Sequence, residues 1–237
     1  IGFALCFLIA ALLMAVSWIF IKQTREADHV VEMTGVTQIP LWHSVKKILR
    51  KDRNFSWLLI ARMLNQFGLM SSAFYTVYAV NVHGMTKLTA GFMTSILLIT
   101  QVTSNLVMGR LADRWSKKAL LEIGGTAGLL SALMAAFAPN LSWFVPVFIL
   151  GGLAYTAHWT VGLAMTLEFG DEIERPTYIG MANTLIAPSA LLAPLLGGWL
   201  ADFSGYATTF IFAGAISIVT TLIYHFFVND VPKIHNR

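Results

Sequence analysis

Six uncharged stretches, each about 20 residues or longer, constrain this chain more than anything else in it. At 1.5 Å of rise per residue, a helix of about 20 residues crosses the hydrocarbon core of a bilayer. The stretches are Ile1–Ile21, Met63–Thr86, Leu88–Gly109, Ile123–Leu167, Pro176–Ala201 and Phe203–Asn229. Ile123–Leu167 is about twice the length one crossing needs and is interrupted by Pro139-Asn140, so it reads as two helices and brings the total to seven. A β-barrel is excluded, because its strands would alternate apolar and polar residues instead of staying apolar throughout. Only 12% of the 237 residues are charged and 57% are hydrophobic, too little charge to cover a soluble domain of this size. The net charge of +4 is therefore orientation information and not a nucleic-acid footprint.

The basic residues sort by loop. Lys22, Arg25, Lys46, Lys47, Arg50, Lys51 and Arg53 fall in the first loop, and Arg110, Arg114, Lys117 and Lys118 in the third. The loops between carry few or none, and the tail has Lys233 and Arg237. The positive-inside rule then puts the long first loop, the Gly109–Lys118 turn and the C-terminus in the cytoplasm. Three regions follow: residues 1–21 as one helix, 22–54 as a cytoplasmic linker, and 55–237 as a six-helix bundle. Within the linker, residues 40–53 predict an amphipathic helix lying on the anionic membrane face, with Leu41, Trp42, Val45, Ile48 and Leu49 opposite the lysines and arginines. Arg62 is expected to snorkel back to the cytoplasmic edge. The lone Cys6 excludes an internal disulfide.

Polar residues recur inside the spans at helical spacing. Asn65, Ser72 and Tyr75 are expected to share one face of the second helix, Gln101 and Asn105 one face of the third, and Tyr155 and His158 one face of the fifth; the sixth holds Asn183. Lipid cannot satisfy such groups, so they must face protein or water. The set Asn65, Tyr75, Gln101, Asn105, His158 and Asn183 is the candidate lining of an aqueous cavity. Gly124, Gly125 and Gly128 predict close approach of a neighbouring helix.

The third helix ends Gly109-Arg-Leu-Ala-Asp113 and the sixth ends Gly198-Trp-Leu-Ala-Asp202. One pattern, G-x-L-A-D, thus closes two helices three apart, which is what a three-plus-three inverted repeat over the last six helices requires. The full turn, G-R-L-A-D-R-W-S-K-K, resembles the cytoplasmic loop motif of the major facilitator superfamily, roughly G-x-L-a-D-r-x-G-r-k, with Ser116 standing where that family has glycine. The resemblance covers essentially the whole chain. It implies the C-terminal six-helix bundle of a transporter, with residues 1–21 as the last helix of an N-terminal bundle outside this sequence. It also implies a gating role for Gly109, Asp113, Arg114, Lys117 and Lys118, in which Asp113 caps a helix of the opposite half. Arg114 and Lys117 would be relay partners and Glu168 the acidic member. With glycine replaced at Ser116, a looser turn is expected.

The function expected is secondary active transport of a small solute by alternating access in the plasma membrane, either efflux of drugs or metabolites or transport of sugars or metabolites. Proton coupling is expected. Glu122, Glu168 and Asp202 all sit near helix ends and only His158 lies deep. Either the coupling carboxylate is therefore in the N-terminal half, which is the preferred reading, or His158 carries the proton, or the protein is a uniporter. The alternative is a heptahelical receptor, since Asp113-Arg114-Trp115 is similar to the acidic-Arg-Tyr triplet of that class. It lacks a cysteine pair and an N-P-x-x-Y pattern. No H-E-x-x-H or G-x-S-x-G is present, so neither catalysis nor a metal or cofactor is expected.

Overall fold

The computed structural model describes residues 2–23, 48–171 and 174–231. The linker Ala27–Gln38 and most of the expected amphipathic helix lie outside the described residues; of the latter, residues 48–51 are helical. Helix α1 (Gly2–Gln23) belongs to a unit of its own, where the Lys22 ammonium sits 5.6 Å over the Trp18 ring.

The second unit holds α2 (Arg53–Leu69), α3 (Tyr75–His83), α4 (Lys87–Arg114), α5 (Lys117–Ala136), α6 (Phe144–Thr156), α7 (Gly162–Thr166), α8 (Arg175–Ser204) and α9 (Tyr206–Phe227). Among the described residues, five stretches are long and apolar enough to cross a membrane: α4, α5, α8, α9 and the continuous run Leu141–Thr166 that contains α6 and α7. The first helix of the bundle starts ten residues before its uncharged stretch, at Arg53, and so carries Arg62 inside it. It is also interrupted: a 3-10 turn at Met70–Ala73 separates α2 from α3. A π-helical turn, Ala157–Val161, separates α6 from α7 without breaking the rod.

Local chemistry fixes the ends. Asp52, Thr86 and Ser116 each accept the backbone N–H three residues on, from Phe55, Thr89 and Ala119, satisfying donors that the first turn leaves open. Ser116 has an extended backbone at φ −71° that any residue adopts, so the turn between α4 and α5 is no looser for lacking glycine there; it is two residues long. Gly84, at φ 65°, ends α3 in the left-handed region that glycine enters freely. Pro188 and Pro194 lie inside α8, each removing one backbone hydrogen bond.

The bundle has an apolar cluster at each end. Phe55, Leu58, Met108, Ala112, Leu120, Met165 and Tyr178 gather where α4 meets α5. Tyr75, Ala79, Met93, Phe144, Val147, Phe148 and Phe210 gather at the opposite end. Because Tyr178 at the start of α8 belongs with Met108 and Ala112, α8 runs back the other way and carries Asp202 to the far end from Asp113. Between the clusters, glycines bring the rods together. A Cβ on Gly124 would lie 2.2 Å from the Ala157 Cβ, and one on Gly125 2.2 Å from Thr221 Oγ1. Two of the three expected close approaches are thus present, while a Cβ on Gly128 would make only ordinary contact, 3.5 Å from the Ala154 Cβ.

The same substitution at two helical glycines therefore has opposite outcomes. Gly124→Ala is expected to destabilise the protein by about 1–3 kcal/mol through overpacking. Gly91, where a Cβ meets nothing within 4 Å, is expected to gain about 0.5–1 kcal/mol on conversion to alanine. Thermal unfolding of the full-length protein in detergent measures both; equal midpoints contradict the packing account.

Candidate functional site

His158 is the centre of the polar layer between the two apolar clusters. It lies in the π-helical turn and is 1% exposed. Its Nδ1 is 2.8 Å from the Asn65 side-chain amide nitrogen, and its Nε2 is 3.2 Å from that of Gln66. A neutral imidazole has one N–H and one lone pair. One amide therefore donates to the ring, and the other turns its oxygen to receive the ring proton. The pair can exchange those roles by rotating, so the clamp accommodates either tautomer. Gln66 was not among the residues the sequence singled out; it follows Asn65 directly, about 100° further round the helix.

Arg62 does not snorkel. It is 3% exposed, inside the bundle, with Nη1 donating to Thr166 Oγ1 at 2.8 Å. Thr166 Oγ1 donates in turn to the Gly162 carbonyl at 2.8 Å, leaving its lone pair for the guanidinium. The arginine lies against Gly162, where a Cβ would stand 3.1 Å from Nε. Snorkelling was expected from the distance to the nearest helix end; the glycine and threonine that hold the side chain instead are 100 and 104 positions away in sequence.

Two shared faces expected from the sequence are not shared. Tyr75 is 3% exposed, its hydroxyl 2.9 Å from Ser71 Oγ and 3.0 Å from Ser131 Oγ, and its ring packs on Phe148 and Phe210. That is an apolar cluster, not a cavity wall. The 3-10 turn at Met70–Ala73 resets the helical phase, which is why Asn65 and Tyr75 part company and Ser72 is exposed. Tyr155 is 43% exposed while His158 is 1%; the π-helical turn rotates the histidine inward.

Gln101, Asn105, Gly109 and Asp113 follow one another at four-residue steps along α4 and form a single slowly winding stripe. This helix is the least covered of the five long ones, with 17% of its most apolar window buried. Asn105 and Asp113 are exposed, Gln101 and Gly109 partly so. Thr160, within the π-helical turn, donates to the Asn105 side-chain carbonyl, tying the stripe to the element that holds His158. A Cβ on Gly109 would meet nothing within 4 Å, so no packing among the described residues requires glycine there. Asn183 is exposed on α8, also a weakly covered helix, away from the His158 cluster.

At the turn itself, Lys117 is buried and bridges two elements. Its Nζ is 2.7 Å from Glu168 Oε1 and donates to the Ala112 carbonyl at 3.1 Å. Lys118 donates its backbone N–H to Asp230 and its ammonium to the His225 carbonyl. Arg114 is exposed at the end of α4 and makes no ion pair among the described residues. Lys117 and Glu168 are thus brought together, while Arg114 and Lys118 point elsewhere.

Residues 58–237 match the Major Facilitator Superfamily. Among its relatives, the chain is 27% identical over 147 residues to a multi-drug resistance efflux pump PmrA homolog of Lactococcus lactis, covering 62% of this chain and 36% of that protein. It is 31% identical over 134 residues to the vesicular acetylcholine transporter of Mus musculus, covering 56% and 25%. It is 26% identical over 149 residues to multidrug resistance protein 2 of Bacillus subtilis, covering 63% and 37%. The chain therefore spans well under half the length of these relatives. With more than half of its residues inside the family match, this multi-pass membrane chain belongs to the Major Facilitator Superfamily.

Proposed function

We propose that this chain is the C-terminal bundle of a secondary transporter that exports small organic solutes by alternating access. The observation that carries this reading is the stripe Gln101–Asn105–Gly109–Asp113 on α4. An asparagine and an aspartate exposed on a membrane-spanning helix cannot face lipid. With lipid excluded, this face of α4 lies against water or another protein surface, and the bare glycine between them leaves room for a backbone to come close. Water at the Gln101–Asn105 level and an opposing helix at the Gly109–Asp113 level satisfy both requirements. Three relatives named as drug or acetylcholine transporters favour a small solute as cargo.

In this reading the gate is built at the Gly109–Lys118 turn, on the cytoplasmic side of the plasma membrane. Asp113 presents a carboxylate to the positive N-terminus of a helix in the other half, an interaction favourable by about 0.3–1 kcal/mol at a surface and more when partly buried. Lys117 and Glu168 lock the base of that turn to the end of α7. Asn65, Gln101, Asn105, His158 and Asn183 contribute the polar groups of the pathway, some lining it directly and some through the His158 clamp. The proton site is a carboxylate in the other half, since the acids described in this bundle lie at its ends. The heptahelical receptor gains nothing from the family match or from this stripe.

Asp113→Asn in the full-length protein is expected to reduce transport at least about tenfold, the effect of losing roughly 1.4 kcal/mol from one gating state, with membrane insertion unchanged. Wild-type rates in that variant overturn the gating role. The proton-to-solute ratio is expected to be the same in His158→Gln as in the parent, measured from paired proton and solute fluxes in proteoliposomes; an altered ratio moves the coupling site to the histidine.

A further inference from the structure

A π-helical turn carries one residue more than an α-turn and is a strained insertion in a helix. It persists only where surrounding contacts over-determine it. Here α2 grips the rod at two points, one within the insertion and one beyond it. Asn65 and Gln66 hold His158 inside the turn, and three residues earlier Arg62 holds Thr166 beyond it. Because α2 is a continuous helix over Arg53–Leu69, the distance between those two grips is fixed, and so is the number of residues the facing rod must fit between them.

We propose that Arg62 is a positioning residue of the transport cycle: seated on Gly162 and bonded to Thr166, it holds the π-helical turn in place and joins the His158 clamp to the Lys117–Glu168 ion pair. The proposal rests on the transporter reading above for its functional consequence and on the structure alone for its geometry. Annealing the turn into α-helix would rotate every residue after it by about 100° relative to His158. Thr166 would leave Arg62, and Glu168, two residues further on, would leave Lys117. The rod therefore has two discrete registers, and both the midplane polar site and the ion pair at the motif turn are tied to which one it adopts. Such a two-state element is the physical requirement for coupling distant sites.

Arg62 suits this task because of what it lacks. Among the described residues no carboxylate pairs with it, and its Nε is enclosed with no acceptor. The Tyr224 hydroxyl is likewise enclosed without a hydrogen-bond partner. An ion pair would pin the guanidinium; a single bond to a threonine holds it in a register it can leave.

The test uses the full-length protein with Cys6 and any cysteine outside this sequence changed to serine, and one new cysteine at either of two fully buried positions: Met165, beyond the turn, or Val147, before it, each 0% exposed. Reaction with N-ethylmaleimide in membranes, without substrate, is compared across Arg62→Met, Gly162→Ala and Thr166→Val. The expected result is about a tenfold faster reaction at Met165→Cys in each, the population change from losing one charge-assisted hydrogen bond, with Val147→Cys still protected. Unchanged protection at Met165→Cys overturns the proposal, and so does a parallel rise at both positions, which means general loosening. The two milder variants keep the test decisive if Arg62→Met does not fold. Because labelling needs no cargo, the expected pattern in a protein that moves no solute removes the transporter reading and leaves the register role standing.

Discussion

A guanidinium keeps its charge in any protein environment, and in this bundle one is enclosed between membrane-spanning helices. Moving such a charge out of water costs several kcal/mol unless it is compensated, so the surrounding elements are arranged to tolerate Arg62. Gly162 gives it room, Thr166 gives it an acceptor, and Gln66, Asn65 and His158 extend the polar environment by one further helical turn. The π-helical turn is the element that brings these groups into register. The apolar clusters at either end of the bundle are ordinary membrane-protein packing by comparison, held close by Gly124 and Gly125.

That polar layer does not stop at the bundle surface. Thr160, in the same π-helical turn as His158, bonds Asn105, and Asn105 belongs to the exposed stripe that descends α4 to Asp113. From buried arginine to motif turn, separate polar contacts are spread over four elements: α2, the π-helical turn with α7, α4 and the start of α5. The Lys117–Glu168 pair lies at the motif end. A bundle built this way has an enclosed inner side, where Arg62 and His158 lie, and an uncovered outer side on α4.

Much of this was legible in the sequence. Charge-free runs located the long helices, and the residue order of Gly109–Lys118 pointed to the family. Lys117 and Glu168 meet although 51 positions separate them. What was not legible has a common cause. Periodicity arguments assume an unbroken 3.6-residue repeat, and this chain departs from it twice, at Met70–Ala73 and at Ala157–Val161. The first departure sent Tyr75 into an apolar cluster; the second turned His158 away from Tyr155. Neither break is marked by a proline or a glycine within it. Arg62 was misread for a related reason: a sequence shows how far a cation is from the helix end, but not that Gly162 and Thr166 wait beside it.

The central claim is that the stripe on α4 avoids lipid, facing water at Gln101 and Asn105 and an opposing helix at Gly109 and Asp113. Single cysteines at each position from 98 to 113, in the full-length protein with Cys6 and any cysteine outside this sequence changed to serine, and their reaction with a membrane-impermeant maleimide, test it directly. Peaks of reactivity are predicted at Gln101 and Asn105, four residues apart, with Gly109 and Asp113 shielded by the opposing helix and Ile99, Val102 and Leu106 shielded by lipid. Uniform protection along the helix, or peaks on the Ile99–Val102–Leu106 side, would contradict it.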